Sequence, residues 1–171
     1  MKKTILLIVL ALCVSCQPNS AVMETNEKTV RDFFSSYEQR FNESLAGKQV
    51  DVKGALDSFA DCFVESSPAG VICGKNDTTF SKNIVKGFEK YRTIGTEKMT
   101  IHHLDITRID ELHMMATVAW QYDAIRKKDS KAVRIDFQVI YLLQIQHNQP
   151  KIFAYITGDE QKALKDNGLL N

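Results

Sequence analysis

From residue 98 to residue 157 the apolar residues of this chain recur at every second position. A helix cannot satisfy that period, whereas a strand imposes it, because successive strand side chains point to opposite faces. Residues 113–124 put Met114, Ala116, Val118, Trp120 and Tyr122 on one face. Residues 133–145 put Ile135, Phe137, Val139, Tyr141, Leu143 and Ile145 on one face, with Asp136, Gln138, Ile140, Leu142 and Gln144 opposite. In residues 98–110 the alternation sets Met99, Ile101, His103 and Asp105 against Thr100, His102, Leu104 and Ile106. Residues 151–157 (KIFAYIT) make a fourth strand. The joins at Asp110-Glu111, at residues 126–131 and at His147-Asn148-Gln149 have hairpin lengths. Four sequential strands joined this way predict an antiparallel sheet with one face to cover.

The residues upstream supply the cover. Residues 24–45 carry Val30, Phe33, Phe34, Tyr37, Phe41 and Leu45 on the stripe of an amphipathic helix, with Thr25 as its cap and Gly47 as its stop. Asp51 can cap a second, shorter helix with Val52, Leu56, Phe59, Ala60 and Phe63 on one face. SSPAG, residues 66–70, breaks the chain, and Val71-Ile72-Cys73 is a short strand ended by Gly74. Asp77 can cap a third helix bearing Phe80, Ile84, Phe88 and Tyr91, which Gly95 stops. Gly158-Asp159 opens a short helical tail through Lys165. Three N-terminal helices covering one face of an antiparallel sheet make an α+β domain over residues 26–171. Such a length holds one domain of ordinary size.

The first sixteen residues, MKKTILLIVLALCVSC, have a different purpose. Lys2 and Lys3 precede an unbroken apolar run from Ile5 to Val14, which matches a secretory leader and is too short to span a membrane. Small Ser15 before Cys16 resembles the lipobox of bacterial lipoproteins, although Cys13 stands where that family has Leu. The resemblance implies a signal peptide over residues 1–15, an acylated (palmitate-bearing) Cys16 and a tether through residue 25. A plain secretory peptide cut after Cys16 is the alternative. The lipid bilayer would then be a partner, held through the acyl chains of Cys16. The location implied is the bacterial envelope, at the outer membrane, with the domain in the periplasm or at the surface.

Charge adds little to that anchor. Lys plus Arg is 22 and Asp plus Glu is 21, so no polybasic attraction to anionic lipid or nucleic acid operates. Arg126, Lys127, Lys128 and Lys131 sit in a turn without stacking aromatics, which is a solvated hairpin rather than a nucleic-acid surface. Cys62 and Cys73 remain in the domain, eleven apart, which is neither a zinc spacing nor a redox motif. They are either two buried thiols or a disulfide formed in an oxidising periplasm.

The order of elements resembles the nuclear-transport-factor-2-like superfamily. The segments that carry the resemblance are the first helix with Phe33, Tyr37 and Phe41, ALDSFADCFVE (residues 55–65), the short strand ending Cys73-Gly74, MATVAWQY (115–122) and KIFAYITGDEQKALKDNG (151–168). The resemblance implies a cone-shaped fold, with the sheet curled around the helices and a pocket at the wide mouth. Some members are enzymes, many dimerise through the outer sheet face, and many small exported members have no assigned activity. Ile140 and Leu142 on the outer face fit a homodimer.

A catalytic set is not evident. The isomerase branch of that superfamily uses a carboxylate base with a Tyr and a protonated Asp as oxyanion donors. Tyr37 could supply a hydroxyl, but Val71-Ile72-Cys73 has no base, and Thr117 and Ala119 are no acid. Asp136 would be a partly buried acid/base group only if its strand face were the concave one. His102 and His103 point to opposite faces, and with His113 they form no visible ligand set, so neither metal nor cofactor is expected. The aromatic residues are the stronger signal. Trp120, as a large residue rarely buried whole, marks the pocket wall. Tyr37 and Phe41 join it from the first helix, Phe59 from the second, and Tyr122, Tyr141 and Tyr155 from the strands. The functional expectation is a membrane-anchored domain binding a small, mainly apolar ligand or a protein partner. The alternatives are an acid/base hydratase, cyclase or isomerase, and a structural envelope protein.

Overall fold

The computed structural model describes residues 20–47 and 49–170. The leader, Cys16 and the start of the tether lie outside them. The elements are α1 (Ser20–Leu45), α2 (Val52–Asp57), β1 (Phe59–Ser67), β2 (Gly70–Lys75) and α3 (Thr78–Thr93), followed by β3 (Thr96–Arg108), β4 (His113–Arg126), β5 (Lys131–Gln146), β6 (Gln149–Ile156) and α4 (Glu160–Asp166). One curled, unclosed six-stranded sheet runs in the order β2-β1-β6-β5-β4-β3, and the helices cover its concave face. No helix among the described residues is long and apolar enough to cross a membrane.

The α+β class and the NTF2-like cone are as expected from the sequence, but the sheet is mixed rather than antiparallel. The second half of the expected second helix is a strand. The helix stops at Asp57, and Phe59–Ser67 pairs antiparallel with β2 and parallel with β6. Phe59 and Phe63 are four apart, a spacing that places two side chains on one face in either conformation. Asn76 stabilises the exit from the helix by donating its side-chain amide to the Leu56 and Phe59 carbonyls. Gly74 permits the packing of this hairpin: a Cβ there would come within 2.4 Å of the Phe63 ring.

The caps at Asp51 and Asp77 form as expected, accepting from the Gly54 amide and from the Thr79 and Phe80 amides respectively. Thr25 is no cap, because α1 already begins at Ser20 and runs through the expected tether. After α3 the chain reverses at Gly95, whose φ of +86° and close approach to the Ile125 carbonyl exclude a side chain.

A bulge between Ile101 and His103 corrects the simple alternation expected in β3. It inserts His102, so that Met99 and Ile101 before it and Leu104 and Ile106 after it all pack toward the core. His103 and Asp105 share the outer face and pair at 3.0 Å. Asn42 fastens α1 to β3 by exchanging two hydrogen bonds with the backbone of Met99. The core beneath α1 is fully closed at Val30, Phe34, Val118, Leu143 and Ile152.

Cys62 and Cys73 are exposed free thiols, not buried ones. Cys73 lies opposite Val64 and Cys62 opposite Lys75, so the two sit diagonally on the outer face of the β1–β2 hairpin. A diagonal pair in an antiparallel ladder stands farther apart than a directly opposed one.

Candidate functional site

Toward the α3–α4 end the packing between helices and sheet opens into a cavity of about 420 Å³. Its wall is aromatic because the elements that meet there each present rings at their inward positions. Tyr37 and Phe41 come from α1, Phe59 from the start of β1, Tyr91 from α3, Trp120 and Tyr122 from β4, Tyr141 from β5 and Tyr155 from β6. The chain has five tyrosines and one tryptophan, and all six line this cavity. The rings are near-neighbours: Tyr37 lies 6.2 Å from Trp120 and 6.5 Å from Tyr141, and Tyr141 lies 6.2 Å from Tyr155.

Polar groups are confined to a few places on this wall. The Tyr155 hydroxyl donates to Glu65 Oε2 at 2.6 Å. This contact follows from the parallel β1–β6 pairing, which sets Glu65 beside Tyr155 on the inner face. At the mouth the Tyr91 hydroxyl donates to Glu160 Oε2 at 3.3 Å, and Asp159 caps α4 by accepting from the Lys162 amide. The Tyr122 hydroxyl shares a 2.6 Å hydrogen bond with Thr96. Tyr37 has no hydrogen-bond partner for its hydroxyl among the described residues.

Burial raises all five tyrosine pKa values above the ordinary phenol value. For Tyr155 the neighbouring Glu65 adds to desolvation, and for Tyr91 Glu160 does the same. For Tyr141 the Trp120 indole pulls weakly the other way. The phenols are therefore neutral donors and the cavity carries no phenolate at physiological pH.

The seven residues expected on the pocket wall, Trp120, Tyr37, Phe41, Phe59, Tyr122, Tyr141 and Tyr155, are all found there. Trp120 differs in one respect. It is only 2% exposed, so it is a core residue with one face on the cavity rather than a partly wetted marker. Asp136 reaches the rim, but its carboxylate is exposed and accepts from Gln121, its cross-strand partner, at 3.2 Å. Ile135 and Phe137 on either side pack against the core instead. The face bearing Asp136 is thus the outer one, and Asp136 is not the partly buried acid considered above.

His113 pairs with Asp110 at 2.9 Å, and no group of three metal-ligating side chains occurs among the described residues. Arg126 in the basic turn is clamped to Asp129 at 2.8 Å. Sequence reasoning placed Tyr91 only on the stripe of the third helix, not on the pocket wall, and missed Glu65, Asp159 and Glu160. Glu65 alternates with Phe63, a signal hidden once that segment was assigned to a helix, and Glu160 is only the first residue of a short tail.

Comparison with known proteins supports the fold. The chain is similar to an NTF2-like protein with a cystatin-like fold from Novosphingobium aromaticivorans, with a TM-score of 0.64 and 7% identity over 89% of this chain and 93% of the other. An NTF2-like superfamily protein from Salmonella enterica gives 0.57 and 10% identity, covering 79% of this chain and 91% of the other. A ketosteroid isomerase-like protein from Erwinia carotovora gives 0.52 and 10% identity over 79% and 93%. At such identities the likeness is one of fold alone. No curated protein matches the chain. The model of the family described as NTF2-like protein (DUF6841) matches residues 26–160, from within the first helix to the start of α4, which include every aromatic residue of the cavity wall, and the chain belongs to that family.

Proposed function

We propose that this domain binds a small, mainly apolar molecule in the aromatic cavity and does so at the bacterial envelope, tethered by an acylated Cys16. The observation that carries the binding reading is the convergence of all five tyrosines and the one tryptophan on a single space of about 420 Å³. That is within the ordinary range for small-molecule sites, and a mostly apolar wall with a few placed polar groups is their usual chemistry. Rings packed merely as core would fill that volume. Titration of the chain with small aromatic and alicyclic probes, followed by Trp120 emission, tests it. A saturable spectral shift is expected. An emission spectrum unmoved by a broad panel of such probes refutes the reading.

The anchor rests on the leader and on Val14-Ser15-Cys16. Cells fed a fatty-acid analogue should label the wild-type chain and not Cys16→Ala, and equal labelling of both rejects it. The outer sheet face supports a homodimer. Val64, Val71 and Ile156 are exposed there and are continuous through Ala154 with Ile140 and Leu142. Apolar area of this kind on a sheet face favours association.

A second reading, acid/base catalysis, is favoured by one contact, the 2.6 Å hydrogen bond between Tyr155 and Glu65 at the cavity wall. A carboxylate and a neutral phenol side by side can take a proton from one substrate atom and donate a hydrogen bond to another. Turnover of an enolisable or hydratable substrate that is lost in both Glu65→Gln and Tyr155→Phe would establish this reading.

A further inference from the structure

The wall of the cavity has a pronounced bias of charge. Glu65, Asp136, Asp159 and Glu160 line or rim it, and no Lys, Arg or His does. Asp136 is turned outward onto Gln121 and Asp159 is occupied as a helix cap, which leaves Glu65 and Glu160 as the carboxylates that face the space. Each holds a tyrosine hydroxyl as its donor. A phenol that donates to a carboxylate gains electron density in its ring, and the face of an aromatic ring is already its negative pole. Tyrosine rings from α1, α3, β4, β5 and β6 surround the same volume. Half-buried Tyr37 adds a hydroxyl that has no hydrogen-bond partner among the described residues and lies on the cavity wall.

We infer that the ligand is an organic cation, a protonated amine or quaternary ammonium group that sits against the tyrosine faces with Glu65 and Glu160 as its counter-charges. This rests on the binding reading above and specifies its ligand class. An anion would meet two carboxylates on a wall that itself carries no Lys, Arg or His. A neutral hydrocarbon would fill the space and leave the carboxylates unanswered. A cation over aromatic faces gains most where it is desolvated, and quaternary ammonium groups are recognised in cages of this composition. The protein already uses the interaction: the Arg40 guanidinium, which donates to Ser58 and lines a neighbouring smaller cavity, lies 6.0 Å from the Tyr37 ring centroid.

The test compares three probes of matched shape on the full chain by calorimetry and Trp120 emission: phenyltrimethylammonium, tert-butylbenzene and benzenesulfonate. The cation should bind roughly tenfold or more tightly than its neutral isostere, and the anion more weakly than either. Glu65→Gln and Glu160→Gln should shrink the preference for the cation while leaving the affinity for tert-butylbenzene in place. Glutamine keeps an acceptor for each tyrosine hydroxyl, and a thermal melt establishes that the variants are folded. Equal or tighter binding of tert-butylbenzene overturns the cation inference and leaves the apolar-binding reading standing. No binding of any of the three probes overturns both. A cation preference unchanged in both Gln variants overturns the role given to the carboxylates.

Discussion

Glu65 and Tyr155 lie side by side across the one parallel strand pair of the sheet, and the Tyr155 hydroxyl donates to the Glu65 carboxylate at 2.6 Å. The pair joins the β1–β2 hairpin, at the edge of the sheet, to the strands that build the cavity. Both side chains are half-buried, so losing either leaves the other without a partner it cannot fully recover from water. Tyr155→Phe should therefore cost about 1.5–3 kcal/mol in denaturant unfolding, the range for a hydrogen bond to a charged group. A double-mutant cycle with Glu65→Ala, which removes the acceptor, should show the two effects to be non-additive, whereas additive effects would mean that the contact contributes nothing of its own.

The tyrosines set a pH limit. All five have pKa values raised above the ordinary 10.0, so in the folded chain each holds its proton more tightly than in the unfolded one. Above about pH 10 the unfolded state binds fewer protons than the native state, so stability falls as pH rises. Below that pH this contribution is fully present. Phenolate absorbance should show little ionisation near pH 10 and then a cooperative step for all five tyrosines, coincident with loss of the helical circular dichroism. Independent titration of several tyrosines near pH 10 in the folded chain would contradict the buried cavity wall.

Trp120 serves as wall and core at once. At 2% exposure, with Tyr37 and Ile101 against it, truncation to Ala should cost about 3–5 kcal/mol, because the sheet beneath cannot collapse into the space. Trp120→Phe removes less volume and should cost clearly less, while enlarging the cavity and changing its probe affinities. Denaturation midpoints with equal slopes measure both. A loss below about 1 kcal/mol for the Ala variant would place the indole outside the core.

The outer face predicts a dimer at micromolar concentration in sedimentation. Val71 is 69% exposed in the free chain, and Val71→Asp should not disturb the core while setting two like charges against each other across a symmetric contact. Wild type sedimenting as two chains and the variant as one is the expected outcome. A monomeric wild type removes the dimer.

Much of the fold was legible because its signals are local. Caps at Asp51 and Asp77, the stop at Gly95 and the alternation through β4 and β5 each depend on residues within a few positions. The two-residue turn at His147-Asn148, with φ of 50° and 61°, is local in the same way. These fix helices, hairpins and the identity of the inward face, and the inward face already contains Trp120, Tyr122 and Tyr141. That is why the aromatic wall could be named from the sequence.

What the sequence by itself determined was therefore the set of elements after residue 70 and the rings they turn inward, since a side-chain period needs no partner to be expressed. The tertiary structure decided the rest. Phe59 and Phe63 suit a helix or a strand equally, and only pairing with β2 and β6 selects the strand. The parallel neighbour of β1 lies about ninety positions along the chain, so nothing near Glu65 announces Tyr155. The bulge at His102 likewise exists only because β4 presents a fixed register to β3. The acidic side of the cavity was hidden for the same reason: Glu65 and Glu160 acquire their chemistry from tyrosines that long-range packing alone brings to them.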